Sequence, residues 1–489
     1  MAVKRVLAVA LAGIGLLAVA VGINTARSGS RQLKVAPAPA LAIDAAAAAQ
    51  RLAESLRFVT ISDAKDAAAN AAEFDKLHAH LQASFPRLHA ALKREEIGNS
   101  HALLYTWQGS DTKAAPVMWM AHQDVVPIAP GTEKDWQQQP FSGVVADGFI
   151  WGRGAWDDKG NLYAQMEAIE MLLASGFQPK RTIYLAFGAD EEVGGTRGAV
   201  AIAALMKSRG VKLDYILDEG LLVLHGMVPG LQPPAAMIGV AEKGYASYQL
   251  DLSTAPGHSS MPPKQSAIGM MSKALSQLEE HPMPVHMKGL AQTSFETMAP
   301  EMGGFNRVAL TNFWLFSPLL ERMMTQTPSI NALMRTTTAL TIVNAGVKDN
   351  VLPGSASATV NFRLLPGDTL GDVQAHMRKV IGNDAIRISD ATTYNAEASR
   401  VASVDGAAYG MINRTVREVL PDAIVAPGLM IAATDSRHFG AVSDNIFKFS
   451  PVRAGPDDLP RFHGTNERMS FKNYTDMIRF YHQLARNSL

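Results

Sequence analysis

The sequence predicts an α/β protein: a main domain on a mostly parallel sheet, with a smaller ferredoxin-like α+β domain inserted into it. Three observations carry this. Residues 100–240 alternate strand-like and helical runs at the spacing of βα units. From residue 243 the order becomes strand, helix, strand, strand, helix, strand, the split βαβ pattern. After residue 400 the strand/helix alternation resumes, so the second pattern interrupts the first. The expected divisions are a leader and linker at 1–42, the main domain at 43–240 and 399–489, and the inserted domain at 241–398.

Each element has its own warrant. Lys4 and Arg5 precede an uncharged apolar run, residues 6–23, which Asn24, Thr25 and Arg27 end. As a helix that run spans ~27 Å, close to a bilayer's hydrocarbon thickness. It reads as a signal peptide, with Ala18-Val19-Ala20 as a small-residue cleavage site, or as a membrane anchor. Retention as an anchor is the favoured reading, with the Ala/Pro-rich residues 35–41 as a tether. The protein is therefore expected to be exported, and membrane-anchored, secreted or periplasmic. Residues 115–121 form a short apolar strand, 161–175 a helix stopped by Gly176, 181–187 a strand, 196–209 a helix and 213–217 a strand. In the inserted part the strands are 243–253, 336–344, 355–365 and 385–391, and the helices 264–280 and 369–382. Residues 281–331 are expected to be irregular. The aromatic and Met-rich residues 313–324 are expected to pack in a core or line an apolar pocket.

Composition narrows the function. Lys+Arg and Asp+Glu both number 45, which leaves no electrostatic footprint for nucleic acid. Apolar residues make up 47%, enough for a sizeable core and against a disordered chain. With no cysteine, a metal can be held only by His, Asp and Glu.

Five short segments offer such ligands, most of them directly after an apolar run: His122-Gln123-Asp124; Gly152-Arg153-Gly154-Ala155-Trp156-Asp157-Asp158-Lys159-Gly160; Asp190-Glu191-Glu192; Asp218-Glu219-Gly220; and His463-Gly464-Thr465-Asn466-Glu467. Ligands at the carboxyl ends of neighbouring parallel strands converge in one crevice. In extended chain, residues two apart face the same way, so Asp124 can bond the far nitrogen of His122. Each segment alone has an ordinary structural reading. Their conjunction in this order points to a metal centre.

HQD, GRGAWDDKG, GADEEVGG, LDEG and HGTNE resemble the motif set of the co-catalytic di-zinc peptidases that include aminoacylase, carboxypeptidase S and the glutamate carboxypeptidases. AEKGYASYQLDL, GHSSMPPKQSAIG, NFWLFSPLLERMM, RTTTALTIVNAGVKDNVLPGSASATVNFRLLPG and TDSRHF resemble the branch of carboxypeptidase S and the secreted N-fatty-acyl-amino-acid synthase/hydrolases. The resemblance implies two Zn2+ per subunit. His122 would ligate one, Asp157 bridge both, and Glu192 and His463 ligate as well. The fourth carboxylate would be Asp218 or Glu219, with Asp218 favoured. Glu191 would be the general base and Asp124 the orienting carboxylate. His258, in GHSS, would steady the oxyanion, often across a homodimer. Asn350 and Arg363 would bind a substrate's free carboxylate.

The expected activity is zinc-dependent cleavage, or reversible formation, of an amide next to a free α-carboxylate, in peptides or N-acyl amino acids. One alternative is a synthase/hydrolase acting mainly on lipidated amino acids. A remote one is a binding protein on a retired hydrolase fold, which the intact acid or His in every motif opposes.

Overall fold

In the computed structural model all residues are described except Met1, Asn99, Thr393 and Leu489. The strands are β1 (Lys93–Ile97), β2 (Ala102–Trp107), β3 (Val117–His122), β4 (Val144–Ala146), β5 (Phe149–Trp151), β6 (Ile183–Gly188), β7 (Tyr215–Leu224), β8 (Ala235–Glu242), β9 (Gly244–Ser253), β10 (Gly257–His258), β11 (Thr337–Ala345), β12 (Val351–Leu352), β13 (Ser355–Leu364), β14 (Ile386–Asp390), β15 (Ile424–Met430), β16 (Ile446–Ala454) and β17 (Arg468–Ser470). The helices are α1 (Ala2–Arg27), α2 (Ala45–Ser55), α3 (Ala71–Ser84), α4 (Pro86–Ala91), α5 (Lys159–Ala174), α6 (Ala199–Ser208), α7 (Ala267–Glu280), α8 (Leu290–Met298), α9 (Gly304–Thr311), α10 (Phe313–Met324), α11 (Pro328–Met334), α12 (Leu370–Ile381), α13 (Ala407–Val419) and α14 (Phe471–Asn487).

A mixed, mostly parallel sheet runs β1-β2-β6-β3-β7-β16-β8-β15. β3 is buried along its whole length, as a central strand covered on both faces must be. Trp119 on β3 packs with Tyr481 of α14, and its indole donates to the Tyr215 hydroxyl at 3.3 Å. α5 and α14 cover this face, while α6 packs Ile202 and Met206 on the other, against Met118 and Met120. β7 runs well past residue 217, the end expected from sequence, and so carries Asp218 and Glu219.

A second sheet, β11-β13-β9-β14, is antiparallel, and its core with α7 and α12 is separate. Its chain order follows the expected split βαβ pattern. Thr369 and Asp372 form a capping box at the start of α12, and Gly382 closes it in the left-handed conformation.

Residues 281–331 are not irregular. They hold α8, α9, α10 and most of α11. The helices are short, with α8, α9 and α11 opened by Gly289, Gly303 and Pro328 and α10 by Asn312, so no long period shows in the sequence. The core expectation for residues 313–324 holds for one side of α10 only. Leu320 is buried and Phe313, Phe316 and Met324 pack around it, while Trp314, Leu319 and Met323 face outward. α1 buries none of its residues, and is long and apolar enough to cross a membrane.

Candidate metal centre

The neighbours β6, β3 and β7 end at one edge of the large sheet. His122 closes β3 opposite Gly188, the last residue of β6. The chain leaves β6 into a one-turn helix, Glu191–Val193. Asp157 comes from the loop that opens α5. His463 comes from the loop before β17, whose pairing with β5 sets Arg468 opposite Trp151. That pairing brings residues 463–467 beside 152–157, and the Gly152 N–H donates to the Glu467 carbonyl at 3.0 Å.

The two oxygens of Asp157 face different imidazoles. Oδ1 lies 3.0 Å from His122 Nε2, and Oδ2 lies 2.6 Å from His463 Nε2. His122 Nε2 is also 3.5 Å from Glu219 Oε1, and His463 Nε2 is 3.5 Å from Glu192 Oε1. Ligand atoms of His122, Asp157 and Glu192 lie within 4.8 Å of one another, as do those of His122, Asp158 and Glu219. The bond to Asp157 and the nearby Glu192 carboxylate push the His463 imidazole up to about 10. Burial alone would lower His122, but the charge of Glu219 and bonds to Asp124 and Asp157 override it. Burial holds the Glu191 and Glu219 carboxyls well above the usual range, with neighbouring carboxylates adding to it.

Asp124 has a wider part than expected. His122 Nδ1 donates to the Asp124 carbonyl at 2.9 Å, and the Asp124 carboxylate stands 3.3 Å away. That carboxylate accepts the N–H groups of Glu191 and Glu192, both at 3.1 Å, and the Ser62 hydroxyl at 2.6 Å. It therefore shapes the turn that presents both glutamates. The Glu191 carboxylate itself has no hydrogen bond among the described residues.

The preference for Asp218 over Glu219 is not what the geometry favours. Asp218 accepts the N–H groups of Glu219 and Ser436, both at 2.9 Å, whereas Glu219 reaches His122. The cause is a break in register: β16 sets Lys448 opposite Asp218 but Phe449 opposite Leu221. Glu219 and Gly220 bulge out between them.

Sequence reasoning passed over three acids. Glu467, fully buried, accepts the N–H groups of Gly154, Trp156 and Asp157 at 3.0, 2.9 and 3.2 Å and pairs with Arg153 at 2.5 Å. Its signal was its place in HGTNE, beside the histidine. Asp158 accepts the His122 N–H at 3.2 Å and the Asn161 amide at 2.6 Å. Asp435, in TDSRHF, is buried against Gly188 and Gly195, where any side chain would collide with its carboxylate.

His258, Asn350 and Arg363 have no hydrogen bond to this cluster among the described residues. His258 is exposed at the β10–β12 corner, where the Ser259 N–H donates to the Asn350 carbonyl at 3.2 Å. Arg363 lies over the Tyr245 ring at 4.9 Å, half-buried. Arg437, which donates to the Gly194 carbonyl at 3.1 Å beside the glutamate turn, is among the charges acting on it.

The donors fit a divalent metal. They are imidazoles and carboxylates without thiolate, and the buried Glu192 Oε1 has no hydrogen-bond partner. More carboxylates than imidazoles share a buried site, which needs positive charge.

An α/β sheet carrying such a donor set at one edge defines a metal-dependent hydrolase. Residues 118–487 match the peptidase family M20/M25/M40, and the chain belongs to that family. It is 39% identical to a probable carboxypeptidase S-like 2 of Dictyostelium discoideum, over 97% of this chain and 92% of the relative. It is 41% identical to the N-fatty-acyl-amino acid synthase/hydrolase PM20D1.1 of Danio rerio, over 85% and 80%. The M20 family metallo-carboxypeptidase Sso-CP2 of Sulfolobus solfataricus shares the fold, with a TM-score of 0.63, 18% identity, and coverage of 89% and 98%.

Proposed function

We propose that this protein is a two-zinc amidohydrolase that cleaves, or in reverse forms, the amide next to a free α-carboxylate. Peptides and N-acyl amino acids are the substrate class. The observation that carries this reading is Asp157, with one oxygen toward His122 and the other toward His463. A carboxylate shared by two cations needs that arrangement. His122, Glu219 and Asp157 would hold one zinc, and His463, Glu192 and Asp157 the other. When bound, such a pair polarises the amide carbonyl and makes its water more acidic. Glu191 takes the proton of the attacking water and returns it to the leaving nitrogen. Asp124 holds the Glu191–Glu192 turn in place.

Residues 241–398 act as lid and dimerisation domain in this reading. β11 is an edge strand with Ile342 and Val343 exposed, which suits pairing with a second copy. The exposed His258 would then steady the oxyanion in the partner's site. Arg363 and Asn350 would clamp the substrate carboxylate. The chain is exported, with α1 retained as an anchor.

Purified full-length protein tests this on dipeptides and N-acyl amino acids. A strong chelator should abolish turnover and zinc restore it. Substrates with the α-carboxylate amidated should fail. Glu191→Gln should keep its zinc and lose ~10²–10⁴-fold in rate. Near-normal turnover in that variant, or equal rates on acid and amide, would sink the mechanism.

A further inference from the structure

The last turns of α1 are docked on the end of α9 and the start of α10. Asn24 Nδ2 donates to the Thr311 carbonyl at 2.7 Å, and the Thr25 and Thr311 hydroxyls lie 3.2 Å apart. Asn312, buried at the start of α10, donates to Thr25 Oγ1 at 2.8 Å and to the Val21 carbonyl at 3.4 Å. Val21, Thr25 and Ser28 are the partly covered residues of this stretch, spaced as one face of a helix. The body of the protein thus grips α1 at the level where its apolar run ends.

The surface beside this grip is apolar. Trp314, two residues beyond Asn312, is 62% exposed; Phe305 and Met323 are each 51% exposed and Leu319 45%. The Phe305 and Phe316 rings meet edge to face at 5.7 Å, which joins α9 to α10. Arg27, Arg322 and Glu321 are exposed alongside. On α10 the exposed apolar side chains flank the charged pair Glu321 and Arg322, with Trp314 on one side and Leu319 and Met323 on the other. Apolar side chains with an outward tryptophan and nearby arginines have the composition of a segment lying in a membrane interface. Its occupant follows from continuity: a helix fit to span a bilayer leaves the protein beside it.

We infer that α9 and α10 lie in the headgroup layer, so that the enzyme is seated on the membrane by a surface as well as held by a tether. This rests on the anchor reading of α1. It gives a lipid-borne amphiphile, the N-acyl amino acid of the proposed substrate class, a protein surface to meet at the bilayer.

The absence of cysteine makes the test clean. Single cysteines replace Phe305, Trp314, Leu319 and Met323 in turn in the full-length chain. Each carries an environment-sensitive fluorophore, in phosphatidylcholine/phosphatidylglycerol vesicles with or without a doxyl-labelled lipid. A label at Lys379, exposed on α12, is the control. The expected result is a blue shift at the four positions and loss of most emission to the doxyl lipid, with Lys379 unchanged. Floating protein whose four labels behave as in water overturns the inference and leaves the anchor standing. Labels that are shielded but not quenched mark a protein partner and also overturn it. Protein that does not float with vesicles overturns both. None of these readouts depends on catalysis.

Discussion

Glu219 and Asp218 differ by one position and by everything around them. Glu219 faces the imidazole of His122, and Asp218 is tied to backbone N–H groups. On the two-zinc reading proposed above, Glu219→Gln should therefore lose one metal per chain while the fold stays intact. Asp218→Asn should keep its metal content and lower thermal stability instead. Metal content and melting temperature, measured on the same preparations, separate the two. Residue parity along a strand is what a sequence displays, and the bulge at Glu219–Gly220 breaks it. His122, Asp157, Glu192 and His463 were legible because each ends a strand or follows a turn, where convergence does not depend on parity. Glu467 was not, because its work is to hold backbone N–H groups of a segment distant in sequence. Glu467→Gln leaves the buried Arg153 without its counter-charge, which costs about 3–5 kcal/mol by the usual penalty for a broken buried pair. Chemical denaturation should show that loss, and the metal should leave at lower chelator concentration.

Among the elements, legibility followed length and period. β9 and β13 alternate and α7 and α12 carry a clean 3.6 period, whereas the inner strands of the large sheet and α5 are buried nearly throughout and read as continuous apolar runs. α8 to α11 were hidden for another reason. They are short, closely punctuated by glycine and proline, and in α10 apolar on the outer side too, so apolar content gave no direction. β11 raises a different question, because its outer edge has no strand partner among the described residues and its residues Ile342 and Val343 are exposed. Ile342→Lys with Val343→Glu should break any pairing between copies. If the proposed dimer forms through this edge, light scattering should report a fall from dimer to monomer. Turnover should fall with it if His258 serves the partner's site, while zinc content stays the same. A variant that remains dimeric would move the interface elsewhere.

For the whole molecule, α1 stands apart from the folded body except at its last turns. Deleting residues 1–34 should give a soluble protein with zinc-dependent turnover, since neither core nor metal donors come from that stretch. Inactive or insoluble material would mean that the grip on Thr311 and Asn312 is structural. The segment that carries His463 and Glu467 also joins β17 to β5, some 300 residues earlier in the chain. A growing chain in which residues 463–467 are still to be made has the other donors but lacks the His463 imidazole and the acid that shapes the Asp157 loop. The order of events follows: the donor cluster closes only after that late segment has folded back onto β5, so capture of metal by the full set comes after synthesis of residue 467.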